Sequence, residues 1–317
     1  MHWNPGSGKP RCMSSSSNSS PYTARAIDHL VLPVPSLETA RTRLTSLGFS
    51  VAPDARHPFG TENACVFLKD GTYLEPLAVA QREDCEAAAI KGNVFVARDQ
   101  AWRFRNGENG GSAIAFGTED AKADQKFFAS KGISAGKMLR FQRRFDDGKG
   151  NAGTGKFALA AAGDLRSPDS FLFTCERVQV PDFDRGKLLK HANGVRSLRE
   201  IVLSEPNPSD FQYLLQDVMR QRDVNAHSFG MDVAASNGNL AVLNPAGMQS
   251  WFGLDRQALL ARQRGLRIEA AVFGVSKLAK LRELLDKNGV AYRERGGRVL
   301  IDSAPGQGVI YAFEEGK

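Results

Sequence analysis

A spacing that recurs along the chain limits the fold more than any other feature. Ala26 to Leu32 reads as a buried strand, Pro35 to Leu47 as an amphipathic helix, and Gly48 to Val51 as a helix stop running into a strand. Thirteen residues separate Pro35 from Gly48. The same separation returns between Glu119 and Gly132, after the strand Ala113 to Phe116, and between Ser276 and Gly289, after the strand Ala270 to Phe273. A fainter copy starts at Leu198 to Leu203 and runs through Pro206 to Met219, with methionine where the others have glycine. Turn-bounded strands follow each helix, as in Ala64 to Leu68 and Thr72 to Val79 around Lys69-Asp70-Gly71. The predicted unit is strand, helix, then three strands. One helix cannot cover both faces of such a sheet, so two units are expected to curl around a common cleft.

The chain is therefore expected to be α+β, with four βαβββ modules paired into two open-barrel domains: 26–180 (modules one and two) and 196–315 (modules three and four). Residues 181–195 are expected to be a linker. Residues 1–25 are read as a disordered leader with no apolar signal core, in which Met13 is a second candidate start.

Composition removes several function classes. At 317 residues, 42% hydrophobic and 24% charged, the chain has the make-up of a folded globular protein. The net charge of +7 comes with mixed acids and bases, so no basic stripe for nucleic acid is present. The longest apolar runs, such as Phe157 to Ala162, fall far short of a membrane span. Four cysteines, Cys12, Cys65, Cys85 and Cys175, form no CxxC pair, which fits a reducing cytoplasm.

Gly150 to Lys156 matches the spacing of a phosphate-binding loop, but it ends in Phe157 and lacks a preceding apolar strand. It is read as a hairpin loop. His191 and His227 sit in turn-like contexts and are read as structural. Trp102 to Arg105 is read as an amphipathic segment snorkelling its arginines, and Ser228 has no nucleophile-elbow context.

Ile27-Asp-His-Leu-Val-Leu32, Arg56-His-Pro-Phe-Gly-Thr-Glu-Asn63 and Gly71-Thr-Tyr-Leu-Glu75 carry a resemblance to the vicinal oxygen chelate superfamily, and within it to the glyoxalase-like domain family. The resemblance implies a protein acting on a small molecule; the composition adds the expectation of a cytoplasmic protein with no nucleic-acid or membrane partner, and a homodimer is a candidate assembly. The resemblance also implies metal ligands at His29 on the first strand and Glu75 on the last strand of module one, with Glu176 the candidate third ligand in module two. A divalent metal, Zn, Ni, Mn or Fe, would then polarise substrate oxygens for lyase, isomerase or dioxygenase chemistry. His57 and Glu75 are the candidate catalytic groups, and Thr61, Asn63 and Tyr73 the candidate substrate contacts. Module two offers Ala113 at the first-strand position and, by direct count, Thr174 at the last. In the second half the corresponding residues are Glu200, Val242, Ala270 and Ala312, which do not suit a metal. A metal-free cleft that binds and sequesters a small molecule is therefore the alternative.

Overall fold

The computed structural model describes residues 23–146, 152–181, 186–254 and 264–316. Most of the expected leader, Gly150 and Asn151 of the glycine-rich run, and residues 182–185 of the expected linker lie outside the described residues.

In the first half, β1 (Ile27–Pro33) and α1 (Leu37–Ser46) precede β2 (Ala55–Arg56), β3 (Thr61–Asn63), β4 (Val66–Phe67) and β5 (Tyr73–Val79). Helices α2 (Arg82–Ile90) and α3 (Val94–Asn106) follow, then β6 (Ala113–Thr118), α4 (Ala121–Ser130), β7 (Leu139–Asp146), β8 (Ala152–Ala162) and β9 (Phe171–Gln179). The second half comprises β10 (Val195–Ser204), α5 (Gln212–Met219), β11 (Asn225–His227), β12 (Gly230–Ala234), β13 (Asn239–Leu243) and α6 (Pro245–Phe252). It ends with β14 (Arg267–Val275), α7 (Leu278–Lys287), β15 (Arg293–Arg295), β16 (Arg298–Ile301) and β17 (Ile310–Glu315).

These strands form two sheets, ordered β2-β3-β5-β1-β6-β9-β8-β7 and β11-β12-β13-β10-β14-β17-β16-β15. In each quarter of the chain the first strand runs parallel to the last, and the last is antiparallel to the strand before it. The quarters join through antiparallel first strands, β1 with β6 and β10 with β14. The architecture is thus α+β, two sheets of matching strand order, as expected.

Local chemistry sets the helix ends. Helix α1 starts at Leu37, two residues after Pro35, because the Ser36 hydroxyl accepts from Thr39 N and so takes the N-cap. Asp120 does the same for α4 through Ala123 N. Gly48, Gly132 and Gly289 end three helices with φ of 81°, 69° and 65°. In the fourth, the left-handed residue falls one place beyond Met219, on Arg220 at φ 50°, whose guanidinium is held by Asp124 at 3.3 Å.

Strand alternation sends two sets of side chains to opposite faces. Leu30, Leu32, Leu74, Ile114, Phe116 and Leu172 face the helix layer, in one core that also takes Leu198, Phe273, Tyr311 and Phe313 of the second half. Phe49, just after α1, packs edge-on to Phe273 and Tyr311 at 5.6 and 5.8 Å. Both halves therefore fold around common apolar contacts. The segment expected to link them is also anchored: Asn193 is fully buried and its amide donates to Leu47 O at 2.8 Å. His191 accepts from Ser50 N at 3.0 Å and meets Phe67 O at 3.0 Å, the structural role its context suggested.

Two expectations are corrected. Gly153 to Lys156 belong to β8, paired with β7 from Arg144↔Thr154 to Gln142↔Lys156, and are not a hairpin loop. Arg25, placed in the leader, is 6% exposed: its backbone N–H donates to Met219 O and its guanidinium pairs with Asp124 and donates to Val218 O.

Candidate functional site

The other face of the first sheet lines a cleft. His29 lies opposite Tyr73 and Val31 opposite Glu75 in the parallel β1–β5 ladder, so all four share one face. Asp28 would alternate away, but a bulge between Ile27 and His29 breaks the pairing with β6 and leaves Asp28 beside His29. Its Oδ1 sits 2.5 Å from His29 Nδ1, and Arg177 holds the other oxygen at 2.8 Å.

Glu75 is the hub. Its Oε2 is 3.3 Å from His29 Nε2, and its Oε1 accepts from Asn63 Nδ2 at 2.5 Å and lies 3.7 Å from His57 Nε2. Asn63 in turn accepts from Arg143 Nη1 at 3.0 Å, and that same nitrogen lies 3.5 Å from His57 Nε2. Thr61 fixes the other side of His57: Oγ1 meets Nδ1 at 2.9 Å, and the His57 backbone N–H donates to the Thr61 carbonyl at 2.8 Å. That turn depends on Gly60, at φ 93°, where a Cβ would lie 2.5 Å from Gln81 O. Gly60→Ala is expected to destabilise the protein by about 1–3 kcal/mol, readable as a fall in thermal midpoint. An unchanged midpoint would mean that the turn is not held as described.

Aromatic rings close the cleft. Tyr73 stacks on His29 at 4.3 Å and Phe59 on His57 at 5.0 Å, while Phe173 meets His29 edge-on at 5.5 Å. Phe95, Phe141 and Phe157 complete a cavity of about 30 Å³, room for a water or a few atoms as it stands. Phe95 comes from α3, which with α2 lies against the cleft. Asp99 on the same helix pairs with Arg103, and Arg103 donates to Val34 O and Leu77 O at the ends of β1 and β5.

Burial and charge oppose each other here. Desolvation alone would raise the Glu75 carboxyl, but the His29 hydrogen bond and charge, His57 and the Asn63 amide together hold it down at about 2. Desolvation would lower His29, and the carboxylates of Asp28 and Glu75 outweigh it, so the imidazole is held above its usual range. With a carboxylate at each ring nitrogen, His29 is set up as an imidazolium. His57 differs. Burial dominates, helped by Arg143, and its pKa falls to about 4, leaving it neutral at pH 7.

The structure thus brings together His29, His57, Thr61, Asn63, Tyr73 and Glu75. It does not bring Glu176. On β9, Phe171, Phe173 and Cys175 face the cleft, while Thr174 and Glu176 alternate to the helix side, where Glu176 Oε2 accepts from Ala121 N at 3.0 Å at the start of α4. Register shows why. Val31 pairs with Glu75 and Ala115 with Phe173, so Phe173, not Thr174, stands at the Glu75 position of module two. In the second half the same comparison gives Ala241, paired with Val202, in place of Val242. There α6 fills the cleft: Met248 and Phe252 pack on Val202, Ala241, Ala270 and Ala312.

A divalent metal makes specific demands on this donor set. Asp28 on His29 Nδ1 resembles the outer partner of a metal-bound histidine. Yet Glu75 is already engaged by His29 and Asn63, and Ala113 and Phe173 occupy the two module-two positions. His29 spends both ring nitrogens on Asp28 and Glu75, and module two adds no ligand, so the described residues as placed do not fit a three-ligand centre. Sequence reasoning missed Asp28, Arg143, Arg177 and the wall of Phe95, Phe141 and Phe173. The alternation of Phe141 and Arg143 was the available signal for two of them.

Comparison with known proteins supports the fold. The chain aligns with a hypothetical protein from Staphylococcus aureus at 15% identity, covering 92% of this chain and 99% of that one, with a TM-score of 0.62. A mutant 4-hydroxymandelate synthase from Streptomyces coelicolor gives 12% identity, coverage of 92% and 93%, and a TM-score of 0.58. The Mn(II)-bound glyoxalase from Novosphingobium aromaticivorans gives 10% identity, coverage of 93% and 83%, and 0.52. At these identities the likeness concerns the fold alone. A search of curated proteins finds no match. No helix among the described residues is long and apolar enough to cross a membrane. The sequence profile of the glyoxalase-like domain family matches residues 27–219, past the first sheet and through α5, and the chain therefore belongs to that family, within the vicinal oxygen chelate superfamily.

Proposed function

We propose that the first-half cleft binds a small oxygen-bearing molecule directly through side chains, without a resident metal. In this reading Arg143 donates to ligand oxygens, His29, Thr61 and Asn63 fix the polar wall, and Tyr73 with the phenylalanines packs the apolar part. Glu75 keeps His29 charged. The observation that carries the reading is the engagement of both Glu75 oxygens, by His29 and Asn63, with alanine and phenylalanine at the module-two positions. Native mass spectrometry of protein purified from cells tests it: a small-molecule adduct is expected on the native chain and not on Asn63→Ala. Adducts of equal abundance on both would contradict it.

A second reading, metal-free proton transfer in the same cleft, is favoured by His57. Its imidazole is neutral at pH 7 and its Nε2 lies at the cavity among Glu75 and Arg143. Any turnover should then stay level from neutrality down to about pH 5 and fall as His57 gains its proton near pH 4. A fall centred near the ordinary histidine value of 6.5 would exclude it.

A further inference from the structure

A cavity larger than the cleft lies elsewhere, in the seam between the two halves. It measures about 360 Å³, within the range of small-molecule sites, against about 30 Å³ for the cleft. Trp102 and Asn106 on α3, the Asn109–Gly111 turn, Arg267 and Ile268 on β14 and the Asp302–Ile310 loop line it.

Its walls are pinned. A β-bridge joins Gly111 to Ile268, Asn109 donates to Ser303 Oγ at 3.2 Å, and Gly308 N donates to Asn109 Oδ1 at 3.1 Å. Gly110 lies flat on Trp102, where a Cβ would come within 2.6 Å of the ring. A cavity held open in this way loses little on binding.

The polar groups differ in what they have left to give. Asp169 is engaged by Arg105 at 2.7 Å and Asn106 at 3.0 Å, and Asp302 by Arg293 at 2.9 Å. Glu269 accepts from Ser204 Oγ at 2.8 Å. Among the described residues Arg267 donates one side-chain bond, to the neutral Asn106 Oδ1 at 3.1 Å, its charge helps to lower the Asp169 pKa, and the buried Trp102 ring is part of the lining. The acids are supplied with donors, and the guanidinium keeps N–H groups in reserve.

We infer that this seam is a second binding site, for a small carboxylate whose anionic end meets Arg267 and whose apolar end lies on Trp102. It concerns residues outside the cleft and stands independently of the reading given for it. Helix α3 carries Trp102 at this site and Phe95 at the cleft, so the two cavities lie against one rod.

The test titrates 4-fluorobenzoate into the full-length protein, read by its fluorine NMR linewidth and by the indole N–H signal of Trp102, assigned with Trp102→Phe. Broadening with a shift of that indole is expected, and Arg267→Gln should weaken binding about 10- to 100-fold. Ser303→Phe, at an exposed position that opens on the cavity, should block binding, whereas the cleft variant Glu75→Gln should leave it unchanged. No shift of the Trp102 signal, equal binding of uncharged 4-fluorobenzyl alcohol, or undiminished affinity in folded Arg267→Gln would overturn the inference.

Discussion

Asp124→Ala is expected to destabilise the protein by about 3–5 kcal/mol, well beyond the usual cost of a single substitution. Asp124 is 0% exposed on α4 and faces the buried Arg25 guanidinium, with Arg220 at 3.3 Å on the same oxygen. Removing the carboxylate strands a cation whose other bond goes to Val218 O. Burial already lowers the Arg25 pKa, with Asp124 countering it. Such a loss is comparable to much of the stability of an ordinary domain. Through the Arg25 bonds to Val218 O and Met219 O and the contact of Arg220 with Asp124, the pair ties α4 of the first half to the end of α5 in the second, so denaturant unfolding should show both halves weakened together. The double variant Arg25→Met/Asp124→Leu should recover most of the loss, because the buried cation goes with the carboxylate and Arg220, the partner that remains, is 42% exposed to solvent. A single variant within about 0.5 kcal/mol of native would show that the ion pair does not join the halves.

Glu75→Gln should cost about 3 kcal/mol near neutral pH, since it leaves Asp28 as the remaining carboxylate on His29. The sign of the pH dependence follows from each shift. Glu75 is held at about 2 against an ordinary 4.5, so its contribution is full above 4.5 and is lost as pH falls toward 2. His57, lowered from 6.5 to about 4, likewise favours the folded state above 6.5 and loses that contribution as pH falls through 4. His29 runs the other way: raised above 6.5, it stabilises below that value and fades as pH rises through its folded pKa. The gap between native and variant should therefore be widest near neutrality and narrow below pH 4.5. Histidine NMR of the variant should show the His29 pKa reduced. An unaltered His29 titration would break the link between these two residues.

Much of the fold was legible in the sequence because it depends on periodicity. The recurring helix-to-glycine separation and the apolar strands before it place β1, β6, β10 and β14. The alternation of β1 and β5 puts His29 and Glu75 on one face. What failed was register across a turn: the count from β6 to β9 slipped by one, which moved Glu176 to the wrong face and hid Phe173. A spacing argument cannot see a bulge either, and it is a bulge that turns Asp28 toward His29. Helices α2, α3 and α6 break the repeat. They are insertions after the last strand of a module, and each lies against the cleft that a bare module would leave open, through Phe95 in the first half and Phe252 in the second. The pairing of Arg25 with Asp124 joins residues far apart in the chain, and neither has a local pattern to announce it.

Equilibrium dialysis of native protein and Glu75→Gln against Mn(II), Fe(II), Ni(II) and Zn(II), followed by elemental analysis, tests the central claim most directly. If His29 and Glu75 serve each other as an ion pair, both proteins should retain the same small fraction of an equivalent. One full equivalent on the native protein, lost from the variant, would show that the two residues hold a metal instead.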